Sequence, residues 1–152
     1  MDYFYLFNLS LYLKKYILIL YMTEKSDEEQ IKQIVQDMCN VDYKLGMQHM
    51  HEDCVFVRPS GNPLNMEGWE AMMTNKDVNV ESNELLSVNK LKVCGDMAYV
   101  CYTSHGKFNY KGTQNDDVAV LSSVLQRVDG KWVVVFGQRS TGRKPSEEPP
   151  KF

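Results

Sequence analysis

The spacing of apolar residues changes from a helical period to a strand period at about position 78 of the chain. Ahead of that point, Ser26 and Glu29 form a Ser-x-x-Glu capping box, which predicts that a helix begins there. Apolar residues then recur every three or four positions, as they do on one face of a helix. A second, shorter helix is predicted to continue this stripe, with an interruption near Gly46. The stripe comprises Ile31, Ile34, Val35 and Met38 in the first helix and Val41, Leu45 and Met50 in the second.

A short strand and a third helix are predicted next. Residues 54–57 read Cys-Val-Phe-Val, and the following loop, 59–63, contains two prolines and a glycine that end the strand. Asn65 is of a residue type that caps helix N-termini. The third short helix is predicted to carry Met66, Trp69, Met72 and Met73.

From residue 78 onward the pattern predicts a meander of long strands. Its turns are expected at Gly95-Asp96, at residues 111–115 and at Asp129-Gly130, and an Asp-Gly pair between apolar runs is a strong hairpin signal. Helices segregated from a run of strands indicate an α+β domain. The three helices must cover the apolar face of the sheet, and a twisted sheet wrapped over them leaves a cone with an open mouth, a favourable place for a ligand. The predicted strands are 78–93, 97–110, 117–128 and 131–141.

The first 21 residues differ from the rest because they are rich in Tyr, Leu, Phe and Ile. Lys14 and Lys15 divide this run near its middle, which is costly at the centre of a bilayer, so a transmembrane helix is not predicted. We interpret the run as an upstream extension or a loose leader, with a targeting or anchor segment as the alternative. The predicted organisation is therefore an apolar leader 1–21, a domain 22–143 and a disordered tail 144–152.

Charge and cysteine content narrow the function classes. A net charge of −3 provides no basic surface for nucleic acid or for an anionic membrane. No Cys-x-x-Cys pair is present, and all the cysteines have apolar neighbours, so we expect reduced core residues of a cytoplasmic protein. An organellar location is the alternative if residues 1–21 act as a targeting segment. The four cysteines are Cys39, Cys54, Cys94 and Cys101.

The order of elements, ending in Asp-Gly-Lys-Trp at 129–132, resembles the SnoaL-like, or nuclear-transport-factor-two-like, families over residues 26–143. Residues 98–103, Ala-Tyr-Val-Cys-Tyr-Thr, resemble the Ala-Tyr-Ile-Arg-Leu-Thr strand of the association domain of calcium/calmodulin-dependent kinase II. Residues 136–140, Phe-Gly-Gln-Arg-Ser, are similar to the His-Phe-His-Arg-Ser ending of that domain. The resemblance implies an α+β cone of three helices on a curved antiparallel sheet, of the SnoaL-like or cystatin-like α+β barrel type.

The same resemblance implies a role for the last strand. In the association domains the arginine of this strand lines an anion-accepting pocket, and Arg139 holds that motif position. Cys101 stands where those domains have a second pocket arginine, and Gln138 replaces a histidine. We therefore expect a weaker anion site near Arg139, Gln138 and Ser140, although strand alternation places Gln138 and Ser140 on the opposite face from Arg139. A strand-end arginine paired with a carboxylate at the rim or at an interface is the alternative.

Other candidates lie near the predicted mouth of the cone. Asp117, next to Asp116, opens a meander strand, and resemblance to steroid-isomerising members implies that a shielded carboxylate there could act as a base. A charged turn is the plainer interpretation. Arg58 follows the strand 54–57 and either reaches the mouth from the helical side or is a solvated loop residue. Aromatic candidates for the pocket wall, or for simple core packing, are Tyr43, Phe56, Trp69, Tyr99 and Trp132.

One group of residues has metal-binding side chains: His49, His51, Glu52 and Asp53. A His-x-His spacing can chelate from a strand, but we place these residues at the end of a helix, and the sequence offers no further ligand triad. The sequence also contains no phosphate loop, dinucleotide fingerprint or Ser-His-Asp order. We therefore predict no metal and no cofactor.

Two classes of function follow from the sequence. In the first, the cone binds a small polar or anionic molecule, either as a binding protein or as a cofactor-free lyase, isomerase or hydratase. In the second, the chain is a non-catalytic association domain that pairs through outward apolar rows containing Val118, Val120 and Val133 or their alternates. Both predict a homo-oligomer, most simply a dimer, without nucleic acid and without membrane contact of the folded domain. The sequence does not decide whether the protein is an enzyme.

Overall fold

The computed structural model of the chain describes residues 25–75 and 78–149. The predicted leader 1–21 and the last residues of the predicted tail, 150–152, lie outside the described residues. Within the described part, no helix has the length and apolar character needed to cross a membrane.

Three helices precede most of the sheet. They are α1 (Asp27–Met38), α2 (Tyr43–Met47) and α3 (Met66–Thr74). The capping box at the start of α1 is confirmed, because the Glu29 N–H donates to Ser26 Oγ at 3.3 Å and the Ser26 N–H donates to Glu29 Oε2 at 2.8 Å. The cap of α3 is confirmed as well, since the Gly68 N–H donates to Asn65 Oδ1 at 2.9 Å. Local cap chemistry thus fixes where both helices begin.

The second helix differs from the prediction. It is shorter, so that Val41 precedes it and Met50 follows it in a strand. Gly46 lies inside the helix instead of interrupting it, and a Cβ there would come within 3.0 Å of Met38 Cα. The absence of a side chain at Gly46 therefore lets α2 pack this closely against the end of α1.

Six strands form one mixed sheet in the order β2-β1-β6-β5-β4-β3. The α+β class and the antiparallel meander of four long strands are confirmed. The sheet as a whole is not purely antiparallel, because the first strand pairs parallel with the last. The strands are β1 (Met50–Val57), β2 (Pro63–Leu64), β3 (Val78–Cys94), β4 (Met97–Tyr110), β5 (Thr113–Val128) and β6 (Lys131–Arg139).

Three strand boundaries differ from the prediction by two residues or more. β1 begins at Met50, four residues earlier than expected, where Met50 pairs with Val134 of β6 and the Val134 N–H donates to His49 O at 2.7 Å. β5 begins at Thr113, because the preceding turn needs only two residues, Lys111 and Gly112, both with positive φ. β6 ends at Arg139 instead of residue 141.

Bulges bend the sheet around the helices. β3 has three register shifts against β4, and β6 has one against β5, where Leu125 pairs with Val134 but Val124 pairs with Phe136. The extra residue in β6 is therefore Val135. Bulges increase local twist and re-aim the side chains beyond them, so this one shift decides which residues at the end of β6 face inward.

The core lies between α1 and the inner face of the sheet. It contains Ile31, Val35, Val100, Leu125 and Val134, each no more than 1% exposed. This end of the cone is closed by apolar packing. Further buried members of the cluster are Ile34, Cys39, Cys54, Ala98, Tyr102 and Trp132.

The cysteines divide into two pairs. Cys39 and Cys54 are buried, and burial raises the pKa of the Cys39 thiol to about 12 and that of Cys54 to about 11. Cys94 is exposed and Cys101 is half-buried, so the prediction that all four are core residues is wrong for these two. All four are free thiols, and strand alternation puts Cys101 on the outer face of β4, opposite the buried Tyr102.

An ion-pair cluster fastens the start of α1 to the sheet. Arg127 Nη2 donates to Asp27 Oδ2 at 2.6 Å, and Arg127 Nε lies 3.4 Å from Asp96 Oδ1. The Trp132 indole N–H donates to the other Asp27 oxygen at 3.1 Å, while the Arg127 guanidinium stacks 4.5 Å above the Trp132 ring. These hydrogen bonds, first of all the one from Arg127, hold the pKa of Asp27 below its usual value.

Candidate functional site

A cavity of about 640 Å³ opens between the helices and the inner face of the sheet. Pockets that bind organic ligands in proteins usually measure about 300–1,000 Å³. The cavity lies at the end of the cone opposite the Asp27 cluster, and its wall is mainly apolar with a few polar groups. It is therefore a candidate site for an organic ligand.

The bulge at Val135 directs the Arg139 side chain toward this cavity. Trp132 and Val134 are buried on the inner face of β6, so uninterrupted alternation would turn Gln138 inward and Arg139 outward. The extra residue reverses the alternation, and Gly137 and Arg139 face inward instead. The sequence contains no local signal for this shift.

Arg139 is held loosely in the cavity wall. Its Nη2 lies 3.4 Å from Asp117 Oδ2, and its Nη1 lies 3.5 Å from the carbonyl oxygen of Ser140. The guanidinium also lies 5.7 Å from the centre of the Phe108 ring. A guanidinium has five N–H donors, and these two long contacts leave most of them available to a ligand.

Arg58 is a second arginine in the same wall. β1 and β6 pair in parallel, Phe56 with Gly137 and Val57 with Gln138, so the next residues on the two strands are Arg58 and Arg139. Paired strands lie about 4.8 Å apart, and both arginines line the cavity. The structure therefore places two arginines, Arg58 just after β1 and Arg139 at the end of β6, in one cavity wall.

Arg58 makes contacts with neutral groups. Its Nε lies 3.5 Å from the carbonyl oxygen of Asn62, and its Nη1 lies 3.8 Å from Met72 Sδ. Across residues 25–75 and 78–149, no carboxylate pairs with it. Two arginines and one aspartate, Asp117, then give the described lining a formal charge of +1. Such a cavity favours a monoanion.

The chain after β6 closes one side of the cavity. The Val118 N–H donates to Arg143 O at 2.8 Å, and the Arg143 N–H donates back to Val118 O at 3.0 Å. This pairing presses Gly142 onto Asp117, where an added Cβ would come within 2.5 Å of the Asp117 Cβ. Only glycine fits there, and the contact restrains the carboxylate that faces Arg139.

Two buried hydroxyl groups lie at or below the cavity floor. Tyr102 lines the cavity and has no exposed surface, and Ser123 is 2% exposed. The hydroxyls are neighbours, yet neither completes a hydrogen bond with any described residue. Burial raises the pKa of Tyr102 far above its usual value, so the phenol stays neutral. The floor therefore carries polar but uncharged groups.

The helical side of the cavity is apolar. Trp69 meets Phe56 edge to face, with ring centres 4.4 Å apart. The Phe56 ring lies over Gly137, where a Cβ would come within 2.7 Å of it. Five methionines complete this side, one each from α1, α2 and β1 and two from α3. They are Met38, Met47, Met50, Met72 and Met73.

Several predicted site residues lie together and others do not. Asp117, Arg139, Arg58, Trp69 and Tyr43 line the cavity. The remaining candidates lie outside its lining: Gln138 and Ser140 are exposed beyond the bulge, Tyr99 is 44% exposed, and Cys101 lies on the outer face of the sheet.

The histidine cluster and Asp116 lie elsewhere. His51, Glu52 and Asp53 are on strand β1 and not at a helix end as predicted, and their ligand atoms lie within 4.8 Å of one another on the surface. His49 instead contacts Asp37 at 2.7 Å. Asp116 turns away from the cavity and contacts His105 Nε2 at 2.6 Å, a hydrogen bond that lowers the pKa of Asp116.

Some lining residues carried no signal in the sequence. Ser82 and Asn83 both line the cavity because a register shift in β3 falls just before them. Ser104 and Phe108 face inward by simple alternation on β4, but the alternation does not tell a cavity from a core. The methionines looked like helix and strand core positions, and only the packing shows that they border an open space.

Comparison with known proteins places the chain among proteins of this fold. A family model described as "Protein of unknown function (DUF3804)" matches residues 26–146. An NTF2-like protein of unknown function from Prochlorococcus marinus is 36% identical; the match covers 79% of this chain and 96% of that one, with a TM-score of 0.73. No curated protein sequence matches the chain.

More distant structures share the fold alone. A putative calcium/calmodulin-dependent kinase II association domain from Exiguobacterium sibiricum is 15% identical over 82% of this chain and 99% of that one, with a TM-score of 0.67. A ketosteroid isomerase-like protein from Erwinia carotovora atroseptica is 13% identical over 78% and 94%, with a TM-score of 0.61. The resemblance inferred from the Asp-Gly-Lys-Trp and neighbouring motifs is confirmed at the level of the fold.

Proposed function

The chain belongs to the DUF3804 family and has the NTF2-like fold, and from this premise we propose that it binds a small organic anion in the cavity of the cone. Arg139 is the main group that holds the anion, and Arg58 is the second. Asp117 positions the Arg139 guanidinium. Fold alone does not dictate function, so the proposal depends on the site.

The juxtaposition of Arg58 and Arg139 carries this proposal. Like charges on adjacent strands repel each other, and Asp117 offsets one of them only through a 3.4 Å contact. An anionic ligand would relieve that repulsion and receive charge-assisted hydrogen bonds from both guanidinium groups. The half-buried position of both arginines strengthens such bonds compared with bonds in water.

Native mass spectrometry of the full chain tests the proposal. We expect a small adduct on the wild-type protein that Arg139→Gln removes, and thermal stabilisation by added organic acids that the same substitution abolishes. Lys131→Gln is the matched control, because it removes a positive charge from the exposed start of β6. If Arg139→Gln and Lys131→Gln behave alike, or if no organic acid binds, the proposal is wrong.

If the protein is also an enzyme, a lyase, isomerase or hydratase, Asp117 is the residue that would act on the bound ligand. Among the described residues that line the cavity it is the one carboxylate, so a proton transfer from a bound acid would go through it. Deuterium exchange at the acidic C–H of a bound ligand measures this step. Exchange that Asp117→Asn abolishes while binding persists supports an enzyme, and binding without exchange supports a binding protein.

A second candidate is a non-catalytic association domain, and the outer face of the sheet favours it. Val55, Tyr99 and Val120 are 38–44% exposed on β1, β4 and β5. They lie beside half-buried valines of the same face, Val118, Val124 and Val133. An apolar face of this extent is typical of a protein interface, and the simplest partner is a second copy of the chain.

Oligomeric mass from light scattering tests the association candidate. Val120→Lys places a charge in the middle of this face and should convert a dimer into a monomer. Val41→Lys is the control, because Val41 is at least as exposed, at 47%, and lies in the turn between α1 and α2. A protein that is monomeric without any substitution would rule out the association candidate and leave the ligand proposal intact.

A further inference from the structure

We infer that the ligand is a monocarboxylic acid with an extended, flexible apolar body, of which a medium-chain fatty acid is the simplest form. This inference rests on the proposed function and adds the chemical class of the ligand. The arginine pair accounts for one end of such a molecule, and the rest of the cavity accounts for its body.

The charge balance of the cavity selects a monoanion. Arg58 lacks a carboxylate partner among the described residues, whereas Arg139 faces Asp117 at 3.4 Å. A dianionic phosphate near Arg139 would be repelled by the Asp117 carboxylate, while a single carboxylate can accept from Arg58 and from the free edge of Arg139. A planar carboxylate also matches the fork of N–H donors on a guanidinium.

The size of the cavity requires more than the anion. A cavity of about 640 Å³ is far larger than a carboxylate, and most of its wall is apolar. Filling such a wall with hydrocarbon removes apolar surface from water on both sides, and each buried methylene adds to affinity. Acetate or an inorganic anion would leave the apolar wall of the cavity in contact with water.

The methionines on the helical side indicate a flexible body. Of the seven methionines among the described residues, five line this one cavity. Methionine is unbranched, has three rotatable side-chain bonds and adapts to ligands of variable shape. Opposite them, Val78, Val80 and Leu121 provide an aliphatic wall on the sheet. Alkyl chains of variable conformation fit between two such walls.

Titration calorimetry with three probes tests the inference on the full chain. The probes are octanoate, which has both parts, acetate, which has only the anion, and octan-1-ol, which has only the chain. We expect octanoate to bind more than about a hundredfold more tightly than acetate and about tenfold more tightly than octan-1-ol. Arg139→Gln should reduce octanoate binding to the level of octan-1-ol, and Lys131→Gln should leave all three unchanged.

Methyl NMR of methionine-labelled protein provides an independent measurement. Octanoate should shift the methyl signals of Met47, Met72 and Met73. Each signal is assigned by its disappearance from the spectrum of the corresponding Met→Leu variant. Met97 is the internal control, because it is 42% exposed at the β3–β4 turn, away from the cavity. Its signal should not move.

The failures are distinguishable. If acetate and octanoate bind equally and both depend on Arg139, or if the octanoate shifts are confined to Met97, the inference about the apolar body is overturned and the anion proposal stands. If octan-1-ol binds as tightly as octanoate and Arg139→Gln changes neither, the anion proposal is overturned. If none of the three probes binds, both are overturned.

Discussion

The two ends of the cone each contain an arginine–aspartate pair, and the pairs differ in how completely they are satisfied. At the closed end, Arg127 and Asp27 are 2.6 Å apart, and Trp132 and Asp96 supply further contacts. At the open end, Arg139 and Asp117 are 3.4 Å apart. The same two residue types thus form a finished cluster in one place and an incomplete one in the other.

This difference shows how a fold separates stability from binding. Donors, acceptors and an aromatic face surround the charges of the closed pair, so its hydrogen-bonding groups are already occupied and do not need a ligand. The open pair is accompanied by Arg58, which has no carboxylate partner among the described residues. The hydrogen bonds of Arg139 to Ser140 and of Arg58 to Asn62 are long. Substitutions at the closed end should therefore change stability, and substitutions at the open end should change binding.

The largest expected effect comes from removing Trp132 at the closed end. Trp132 is 3% exposed, and its indole also donates to Asp27. Trp132→Ala should lower the free energy of unfolding by about 3–5 kcal/mol, as measured by urea denaturation. Trp69→Ala at the open end is the counterpart, and it should cost clearly less because Trp69 is only half-buried. Equal losses would contradict the proposed division of roles.

A methyl group added at Gly137 tests the boundary between the two ends. Its Cβ would lie 2.7 Å from the buried Phe56 ring, so Phe56 or the β1–β6 pairing must move. Gly137→Ala should cost about 1–3 kcal/mol in urea denaturation. Gly106→Ala is the control on β4, because its Cβ would meet nothing closer than 3.7 Å. A loss at Gly106 as large as at Gly137 would show that close packing is not the cause.

The two arginines allow the most direct comparison. Arg127→Gln removes the centre of the closed cluster and should lower the melting temperature by several degrees. Arg139→Gln should change the free energy of unfolding by less than about 1 kcal/mol, because a long, partly exposed ion pair contributes little, while it lowers the stabilisation by octanoate to the level that octan-1-ol gives. Differential scanning calorimetry with and without octanoate measures both. If Arg127→Gln removed the stabilisation by octanoate and Arg139→Gln lowered the melting temperature, the ligand would bind at the closed end and the proposed site would be wrong.

The smallest expected effect is on the acid limb of stability. The folded-state pKa of Asp27 is lowered from 3.8, so its stabilising contribution is fully present above that value and is lost as the pH falls through the folded pKa. The wild type should therefore be more stable than Asp27→Asn at neutral pH, and the two should converge in acid. Urea denaturation at a series of pH values measures this difference. If the difference in stability between the wild type and Asp27→Asn grew as the pH fell, the prediction would be contradicted.

Signals confined to a few neighbouring residues made the fold predictable. Ser26 with Glu29, Asn65, and Asp129 with Gly130 each specify a cap or turn through their own side chains and backbone. Periodicity then identified the long strands. Together these gave the helices, the meander and the fold class.

The site was harder to predict because it depends on distant pairing. The polar stretch from Met50 to Asp53 does not resemble a strand, yet β1 begins there and Met50 pairs with Val134 of the distant strand β6. Arg139 faces inward because of an extra residue at Val135, which no local pattern marks. Resemblance pointed to Arg139, which lines the cavity, but it gave no reason to expect Arg58 in the same wall.

The parallel pairing of β1 with β6 also has a consequence for the order of folding. It joins the first strand of the domain to the last, so forming it closes the longest loop in the sheet, whereas the hairpins of the meander close short ones. Contacts between distant parts of a chain carry the greatest entropic cost and tend to form late. Since Arg58 and Arg139 come into the same cavity wall through this pairing, the chain should acquire its two-arginine cavity wall in the last stage of folding, after the meander has formed.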